Sequence, residues 1–198
     1  NMSFDVLQEK IIKLKNPTVA GLDARAEHIP PAILQAHIAR HGETLQAAAE
    51  AVLEFDCGPI DALCDIVPAV KPQSAYFEML GWRGMKALEQ VIAYAHEKGL
   101  FVIADIKRGD IGTTAAAYSA GWLGTTRVGQ TDWPVFDADC VTLNGYMGSD
   151  SLNPFLETCK AIGKCAFVLA KTSNPSSIEL QDLVAGDRLV YTVMGDLA

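Results

Sequence analysis

The segment Phe101-Val-Ile-Ala-Asp-Ile-Lys-Arg-Gly-Asp110 begins as an apolar strand and ends in charge. Its first four residues have the continuous hydrophobic character of a strand that is buried on both faces of a parallel sheet. Asp105 and Lys107 are two residues apart, a spacing that places both side chains on one face of an extended chain. Gly109 permits a sharp turn before Asp110. The segment therefore predicts a buried strand that carries two carboxylates and an ammonium group to one end of a sheet.

Four other apolar runs alternate with helical patterns along the chain, and each run also ends in a polar or charged residue. Five βα units in succession predict an α/β protein with a parallel sheet covered by helices. The pattern leaves a closed barrel and an open doubly wound sheet as alternatives, but in both the carboxyl ends of the strands meet at the active site. We therefore expect one cleft to collect the residues at these strand ends, which are Asp23, Lys71, Asp105 with Lys107, Asn144 and Lys171.

Helical periodicity extends over five stretches, residues 4–14, 31–64, 74–98, 112–122 and 150–162. Breaks are expected near His41-Gly42 and near Gly81. Residues 186–198 indicate the approach to a further helix, and no repeat or linker divides residues 1–198, so we predict a single domain. Three tryptophans are expected in or near helices as packing or interface residues, namely Trp82, Trp122 and Trp133.

The composition is that of an ordinary globular protein, with 49% hydrophobic and 20% charged residues among 198. A formal net charge of −8 argues against binding to nucleic acid or to an anionic membrane, although a few local cations can still bind an anionic substrate. The five cysteines form no Cys-x-x-Cys pair, so we expect reduced thiols and a cytoplasmic protein. We interpret Asn1, which precedes Met2, as the remnant of a tag.

His37 and His41 are four residues apart, a spacing at which two histidines of one helix can bind a metal ion. No carboxylate or third ligand is evident beside them in the sequence, and we interpret both as residues of a surface helix. The chain also lacks any sequence feature of pyridoxal or thiamine binding. We therefore predict neither a metal site nor a cofactor.

Four blocks of sequence are similar to one known enzyme family. Residues 105–111, Asp-Ile-Lys-Arg-Gly-Asp-Ile, resemble the Asp-x-Lys-x-x-Asp-Ile signature of the orotidine 5′-phosphate decarboxylase family. Val70–Glu78 resembles the second-strand lysine block of that family's longer bacterial branch, and Thr142–Ser151 and Val168–Pro175 resemble two further blocks. The resemblance covers roughly residues 4–185. It implies a TIM (β/α)8 barrel, no cofactor, and a homodimer with shared active sites.

The same resemblance implies roles for individual residues. Lys107 would donate a proton to C6 of the pyrimidine, and Asp105 would lie against the substrate carboxylate. Lys71 would contact the ribose and keep Asp105 ionised, while Asp110 would reach into the partner subunit's site. The implied substrate-binding residues are Asp23 at a ribose hydroxyl, Ile111 and Thr114 beside Asp110, Asn144, Thr172 and Ser173 around the pyrimidine, and Gln73 near the polar position of the second strand.

The implied reaction is decarboxylation of orotidine 5′-phosphate to uridine 5′-phosphate, the last step of de novo pyrimidine nucleotide synthesis. Loss of CO₂ leaves negative charge on C6, and without a cofactor the protein must stabilise that charge with fixed charges of its own. An ammonium group about 4 Å away contributes about 4 kcal/mol at an effective dielectric constant of about 20. Lys107 would then act both as the counter-charge and as the general acid.

The C-terminal part departs from the family pattern. A barrel needs eight strands, whereas we identify five, and the later strands that carry the glycine-rich turn and the arginine for the 5′-phosphate are not found. We therefore expect the chain to be a piece of a longer protein. One alternative function is that of a Mg²⁺-dependent sugar-phosphate decarboxylase or aldolase, whose family carries a metal-binding acid where Lys71 stands. The other alternative is a non-catalytic nucleotide-binding derivative, which would have no use for this set of buried charges.

Overall fold

The computed structural model describes residues 3–198, so the interpretation of Asn1 lies outside the described residues. The helices are α1 (Ser3–Leu14), α2 (Pro31–His41), α3 (Leu45–Leu63), α4 (Ser74–Glu78), α5 (Gly81–Glu97), α6 (Gly112–Trp122), α7 (Ser149–Ile162) and α8 (Val190–Leu197). The strands are β1 (Val19–Leu22), β2 (Ala69–Pro72), β3 (Phe101–Arg108), β4 (Thr125–Val128), β5 (Thr131–Pro134), β6 (Cys140–Asn144), β7 (Cys165–Leu169), β8 (Val184–Ala185) and β9 (Arg188–Leu189). Across residues 3–198, the helices are too short or too polar to cross a membrane.

Five parallel strands form the central sheet in the order β1-β2-β3-β6-β7. The pairing runs from Val19 opposite Ala69 at one side to Cys140 opposite Cys165 at the other. The strands all run in the same direction, so their carboxyl ends lie at one edge of the sheet. Helices make the crossover connections that parallel strands need. The five apolar runs are thus confirmed as strands. Their sequential parallel order is the order that strands follow around a TIM barrel.

The main hydrophobic core lies between the sheet and the helices that connect its strands. α3 packs against α2 and α5, and α6 packs against α7. α5 approaches α4 closely because residue 84 is glycine, where a Cβ atom would lie 1.9 Å from the carbonyl oxygen of Phe77. Fully buried side chains of this core include Val52, Phe77, Leu88, Val102, Leu143, Leu152 and Phe155.

A second, smaller core closes the amino-terminal end of the sheet. It contains the first residue of each of four strands, which are Ala69, Phe101, Cys140 and Cys165. Leu7 of α1 packs among them, and Ser3 Oγ donates a hydrogen bond to the carbonyl oxygen of Asp139 at 3.1 Å. Helix α1 therefore covers the end of the sheet opposite to the predicted site.

The predicted helices and their breaks are confirmed. α2 ends at His41 and α3 begins at Leu45, and Gly42 between them has a φ of 69° that few other residues adopt. Likewise α4 ends at Glu78 and α5 begins at Gly81. The approach to a helix after residue 186 leads into α8.

Two antiparallel hairpins were not expected. β4 pairs with β5 and β8 pairs with β9, and Trp133 lies in β5 rather than in or near a helix. The residues of β4 and β5 are all exposed, so no alternation of apolar and polar residues marked them as strands. Trp82 and Trp122 lie in α5 and α6 as predicted.

Candidate active site

Asp105 is the centre of a hydrogen-bonded network at the carboxyl end of β3. Its side chain is 6% exposed, and each of its two carboxylate oxygens accepts two hydrogen bonds. Oδ2 accepts from Lys71 Nζ at 2.6 Å and from Gln73 Nε2 at 3.1 Å. Oδ1 accepts from Lys107 Nζ at 2.6 Å and from Thr142 Oγ1 at 2.7 Å. The structure thus holds one buried carboxylate between two ammonium groups.

The backbone of β3 leaves regular strand geometry where it carries Lys107. Its register with β6 shifts after Ala104, and Lys107 has a φ of 46°, in the left-handed region that costs an L-residue about 1–2 kcal/mol. Thr142 Oγ1 accepts hydrogen bonds from the amides of Ile106 and Lys107, at 3.0 Å each. Because the same hydroxyl donates to Asp105, it joins the irregular backbone to the carboxylate.

The electrostatics of the network keep Asp105 ionised. Burial favours the neutral carboxyl group, but the hydrogen bonds from the two lysines and Thr142 outweigh burial and lower the pKa of Asp105 below its ordinary value. The side chains of Lys71 and Lys107 are 33% and 46% exposed, so the ammonium groups lie on the solvent side of the carboxylate. A cleft of about 460 Å³ opens beside Lys107, and its lining also includes Gln73, Tyr76 and Arg108.

The last residue of β3, Arg108, is held by two contacts. Arg108 donates a hydrogen bond to the carbonyl oxygen of Ile106 at 3.0 Å and pairs with Glu78 of α4 at 2.5 Å. The next residue is Gly109, where a Cβ atom would lie 2.5 Å from the carbonyl oxygen of Asn144. Residue 109 must therefore be glycine for the ends of β3 and β6 to approach each other.

Other strand-end residues that the sequence assigned to the same cleft lie outside the Asp105 network. Asp23 follows β1 and is exposed. Asn144 Oδ1 accepts a hydrogen bond from the amide of Tyr146 at 3.0 Å, which shapes the loop after β6. Lys171 pairs with Asp182. We expected the strand-end residues to meet in one cleft. Lys71 and Lys107 do both contact Asp105. Asp23, Asn144 and Lys171 lie at the same edge of the sheet, but among the described residues no hydrogen bond or ion pair joins them to this network.

The loop after β7 contains Thr172 and Ser173. The Thr172 hydroxyl accepts a hydrogen bond from Gln181 Nε2 at 2.7 Å and donates one to Asn174 Oδ1 at 2.7 Å. The Thr172 amide donates to Gln181 Oε1 at 2.8 Å, so this loop is held by Gln181 on two sides. Ser173 is exposed. The predicted contacts of both residues with a pyrimidine stay predictions.

Asp110, Ile111 and Thr114 lie where the loop after β3 enters α6. Asp110 Oδ1 accepts a hydrogen bond from the Ile111 amide at 2.8 Å. In the part of the chain that the structure describes, no hydrogen bond or ion pair joins Asp110 to Lys71 or Lys107. The Ile111 side chain is 56% exposed and Thr114 is also exposed, so this segment is accessible to another molecule.

Sequence reasoning missed Thr142 in the site and a buried carboxyl group, Asp56, outside the Asp105 network. Thr142 precedes Asn144 by two positions on β6, and this alternation could have placed it on the same face. Asp56 of α3 is buried, and its pKa is raised to about 7 by burial and by the negative charge of Asp23. No signal in the sequence marks Asp56, because its burial follows from the packing of α3.

The interpretation of the histidine pair as surface residues is confirmed for the exposed His41 and wrong for His37. His37 is buried rather than on the surface. Two carboxylates also face the pair, because Glu50 lies near both histidines and Glu54 contacts His37. Both glutamates come from α3, and their proximity depends on how α3 packs against α2, which the sequence around the histidines does not reveal.

Comparisons with known proteins show which family the chain resembles. The family model described as "Orotidine 5'-phosphate decarboxylase / HUMPS family" matches residues 57–196. Orotidine 5′-phosphate decarboxylase of Rhodopirellula baltica is 39% identical over 191 residues, covering 96% of this chain and 61% of the relative. The enzyme of that name from Caldicellulosiruptor saccharolyticus is 36% identical over 192 residues, covering 97% and 63%. The chain thus spans about three-fifths of the length of these curated relatives.

Solved structures show the same relationship. The OMP decarboxylase of Leishmania donovani has a TM-score of 0.74 and 32% sequence identity, over 99% of this chain and 64% of that one. The fold is accordingly the predicted TIM barrel, of which the described residues form five strands. The matched family model includes the whole Asp105 network, from Lys71 to Thr142. The chain belongs to the orotidine 5′-phosphate decarboxylase / HUMPS family.

Proposed function

We propose that the protein decarboxylates orotidine 5′-phosphate to uridine 5′-phosphate, the reaction after which its relatives are named. The observation that carries the proposal is the buried Asp105 carboxylate held between the ammonium groups of Lys71 and Lys107, each at 2.6 Å. Such an array is costly to assemble, since each buried ion loses several kcal/mol of hydration. Fixed charges of this kind are what a reaction through a carbanion requires when no electron sink takes part.

Each charged group has a distinct part in the proposed reaction. The bond from C6 to the substrate carboxylate breaks, CO₂ leaves beside Asp105, and the electron pair remains on C6. The Lys107 ammonium group stabilises that negative charge and then transfers a proton to C6. Lys71 neutralises Asp105 from its other oxygen and keeps it ionised and oriented. Repulsion between Asp105 and the substrate carboxylate is a secondary contribution.

Lys71 also distinguishes this proposal from a Mg²⁺-dependent sugar-phosphate decarboxylase or aldolase. Its Nζ atom lies 2.6 Å from Asp105 Oδ2 and occupies the place where a metal ion would bind that oxygen. A second positive charge at this distance would be strongly repelled. The network therefore supports a site in which the Lys71 ammonium group takes the position that Mg²⁺ would otherwise occupy.

The test is an absorbance assay for loss of orotidine 5′-phosphate, in the presence of EDTA. We expect turnover without added Mg²⁺ and a loss of about 10³-fold in kcat in Lys107→Ala, since this lysine supplies both charge and proton. Lys160→Ala, which removes an exposed lysine of α7, should leave kcat unchanged. Near-wild-type turnover in a folded Lys107→Ala protein would contradict the proposal. Activity that needs Mg²⁺ would favour the sugar-phosphate enzymes, and binding of uridine 5′-phosphate without turnover would favour the non-catalytic derivative.

We further propose that the protein is a cytoplasmic homodimer in which Asp110, Ile111 and Thr114 complete the partner subunit's site. The exposure of Ile111 and Thr114 supports this arrangement, because an apolar side chain beside a charged site is suited to an interface. The five cysteines are all free, which supports a reducing compartment.

Mixing two inactive variants tests the shared site. In a heterodimer of Lys107→Ala and Asp110→Ala subunits, one of the two sites regains both native residues. Random exchange of subunits makes half of the dimers mixed, so we expect about a quarter of wild-type activity to return. Each variant alone and a mixture of Lys107→Ala with Lys107→Gln serve as controls. No recovery after subunit exchange would show that Asp110 serves its own subunit.

A further inference from the structure

Two histidines and two glutamates from neighbouring helices converge outside the active site. α2 contributes His37 and His41, and α3 contributes Glu50 and Glu54, each pair one helical turn apart. His37 is 6% exposed, whereas the His41 side chain is 34% exposed. One end of the cluster is therefore buried between the helices and the other faces solvent.

The possible ligand atoms of the cluster lie close enough together to share one metal ion. Glu50 Oε2 lies 3.3 Å from His37 Nδ1 and 2.8 Å from His41 Nε2. Each of the three residues offers a ligand atom within 4.8 Å of those of the other two. A tetrahedral ion with bonds of about 2.1 Å holds its ligand atoms about 3.4 Å apart. The separations of 2.8 Å and 3.3 Å are close to that spacing, and the ligand atoms of all three residues lie within 4.8 Å of one another.

The hydrogen bonds around these atoms orient them as they are oriented in known metal sites. His37 Nε2 lies 2.8 Å from Glu54 Oε2, so the ring can donate its proton to Glu54 and leave Nδ1 as the ligand. Gln46 Nε2 donates to Glu50 Oε1 at 2.7 Å, which leaves Oε2 as the coordinating oxygen. In metal sites, a carboxylate that accepts a hydrogen bond from the second ring nitrogen fixes the orientation of the histidine and raises its basicity as a ligand.

The contacts of His37 suit a ring that binds a metal ion through one nitrogen and donates a hydrogen bond through the other. Both of its ring nitrogens face carboxylate oxygens, and a neutral imidazole can donate to only one of them. With a cation bound at Nδ1, the neutral ring satisfies both, and Glu50 and Glu54 balance a charge of two.

We propose that His37, His41 and Glu50 bind a divalent transition-metal ion, with Glu54 and Gln46 as orienting residues. Two imidazoles and one carboxylate are suited to Zn²⁺ and its neighbours in the first transition row rather than to Mg²⁺ or Ca²⁺. A cleft of about 410 Å³ borders the cluster and is lined by His37, Glu50, Glu54, Trp82 and Arg83. It provides a path of entry and room for water at the remaining coordination position. The ion would join α2 to α3 and stabilise the fold.

The experiment is a calorimetric titration of EDTA-treated, dialysed protein with Zn²⁺, together with thermal unfolding at each Zn²⁺ concentration. We expect one Zn²⁺ per chain and a rise in Tm, because an ion that binds the folded state alone stabilises it by mass action. His41→Ala and Glu50→Gln should each weaken Zn²⁺ binding by at least about tenfold, and the double variant should abolish it. His28→Ala, which removes an exposed histidine outside the cluster, should bind Zn²⁺ as the wild type does.

The cysteines could bind Zn²⁺ instead of the histidine cluster, and the variants distinguish these two sites. Zn²⁺ also binds thiolates, and Cys57 and Cys64 are partly exposed. Unchanged Zn²⁺ binding in a folded double variant would therefore place the ion elsewhere and overturn the proposal, as would absence of binding to the wild type. Loss of the Tm rise in the double variant, with the metal-free Tm retained, would support it.

Discussion

Among single residues, Asp56 has an environment poorly suited to charge. It is 1% exposed, and its Oδ2 atom has no hydrogen-bond partner among residues 3–198. Burial, together with the negative charge of Asp23, raises its pKa to about 7. The folded state therefore binds this proton more tightly than the unfolded state does. The contribution of Asp56 to stability is fully present below pH 4 and is lost as the pH rises toward 7.

Replacing Asp56 with asparagine should remove this pH dependence. A shift of one pKa unit corresponds to about 1.4 kcal/mol, so the ionised group costs up to about 4 kcal/mol above pH 7. We expect the free energy of unfolding of Asp56→Asn, relative to wild type, to rise between pH 5 and pH 8. Urea unfolding at both pH values measures this difference, with Asp187→Asn as the exposed control. Equal pH slopes in wild type and Asp56→Asn would show that Asp56 does not titrate in this range.

Lys107 shows how far residue spacing can predict a site. Alternation placed it on the same face as Asp105, and the two side chains do meet at 2.6 Å. The strand is not regular there, however, because Lys107 has a positive φ and the register with β6 shifts. This backbone is held by the Thr142 hydroxyl on the neighbouring strand. A contact with a residue far along the chain cannot be predicted from the spacing within one segment.

At the scale of secondary-structure elements, the sequence predicted those that bury an apolar face. α6 has the predicted bounds of 112–122, and the five strands of the sheet lie within or beside the predicted apolar runs. The hairpin of β4 and β5 has no buried face, so hydrophobic periodicity could not detect it. Gly129 lies between its strands with a φ of 62°, and a glycine between β-branched residues was the signal available. The histidine cluster was missed because its ligands come from two helices.

Across the whole molecule, the two ends of the sheet differ in chemical character. The carboxyl end presents Lys71, Asp105 and Lys107, and their network is polar throughout. The amino end is closed by the small apolar core that contains Leu7 of α1. In barrel folds the carboxyl face carries the chemistry and the opposite face carries stability. A change under α1 should therefore alter stability without altering the site.

Leu7→Ala tests whether the amino-terminal core affects stability without affecting the site. Leu7 is 8% exposed, and its truncation leaves a cavity among the first residues of four strands, so we expect a loss of about 3 kcal/mol in the free energy of unfolding. Ile12→Ala on the same helix removes a side chain that is 65% exposed and should cost less than about 0.5 kcal/mol. Both proteins should bind uridine 5′-phosphate with wild-type affinity while they remain folded. If folded Leu7→Ala protein bound the nucleotide several-fold more weakly, the amino-terminal core would have to support the site through the strands, and the two ends would not be independent.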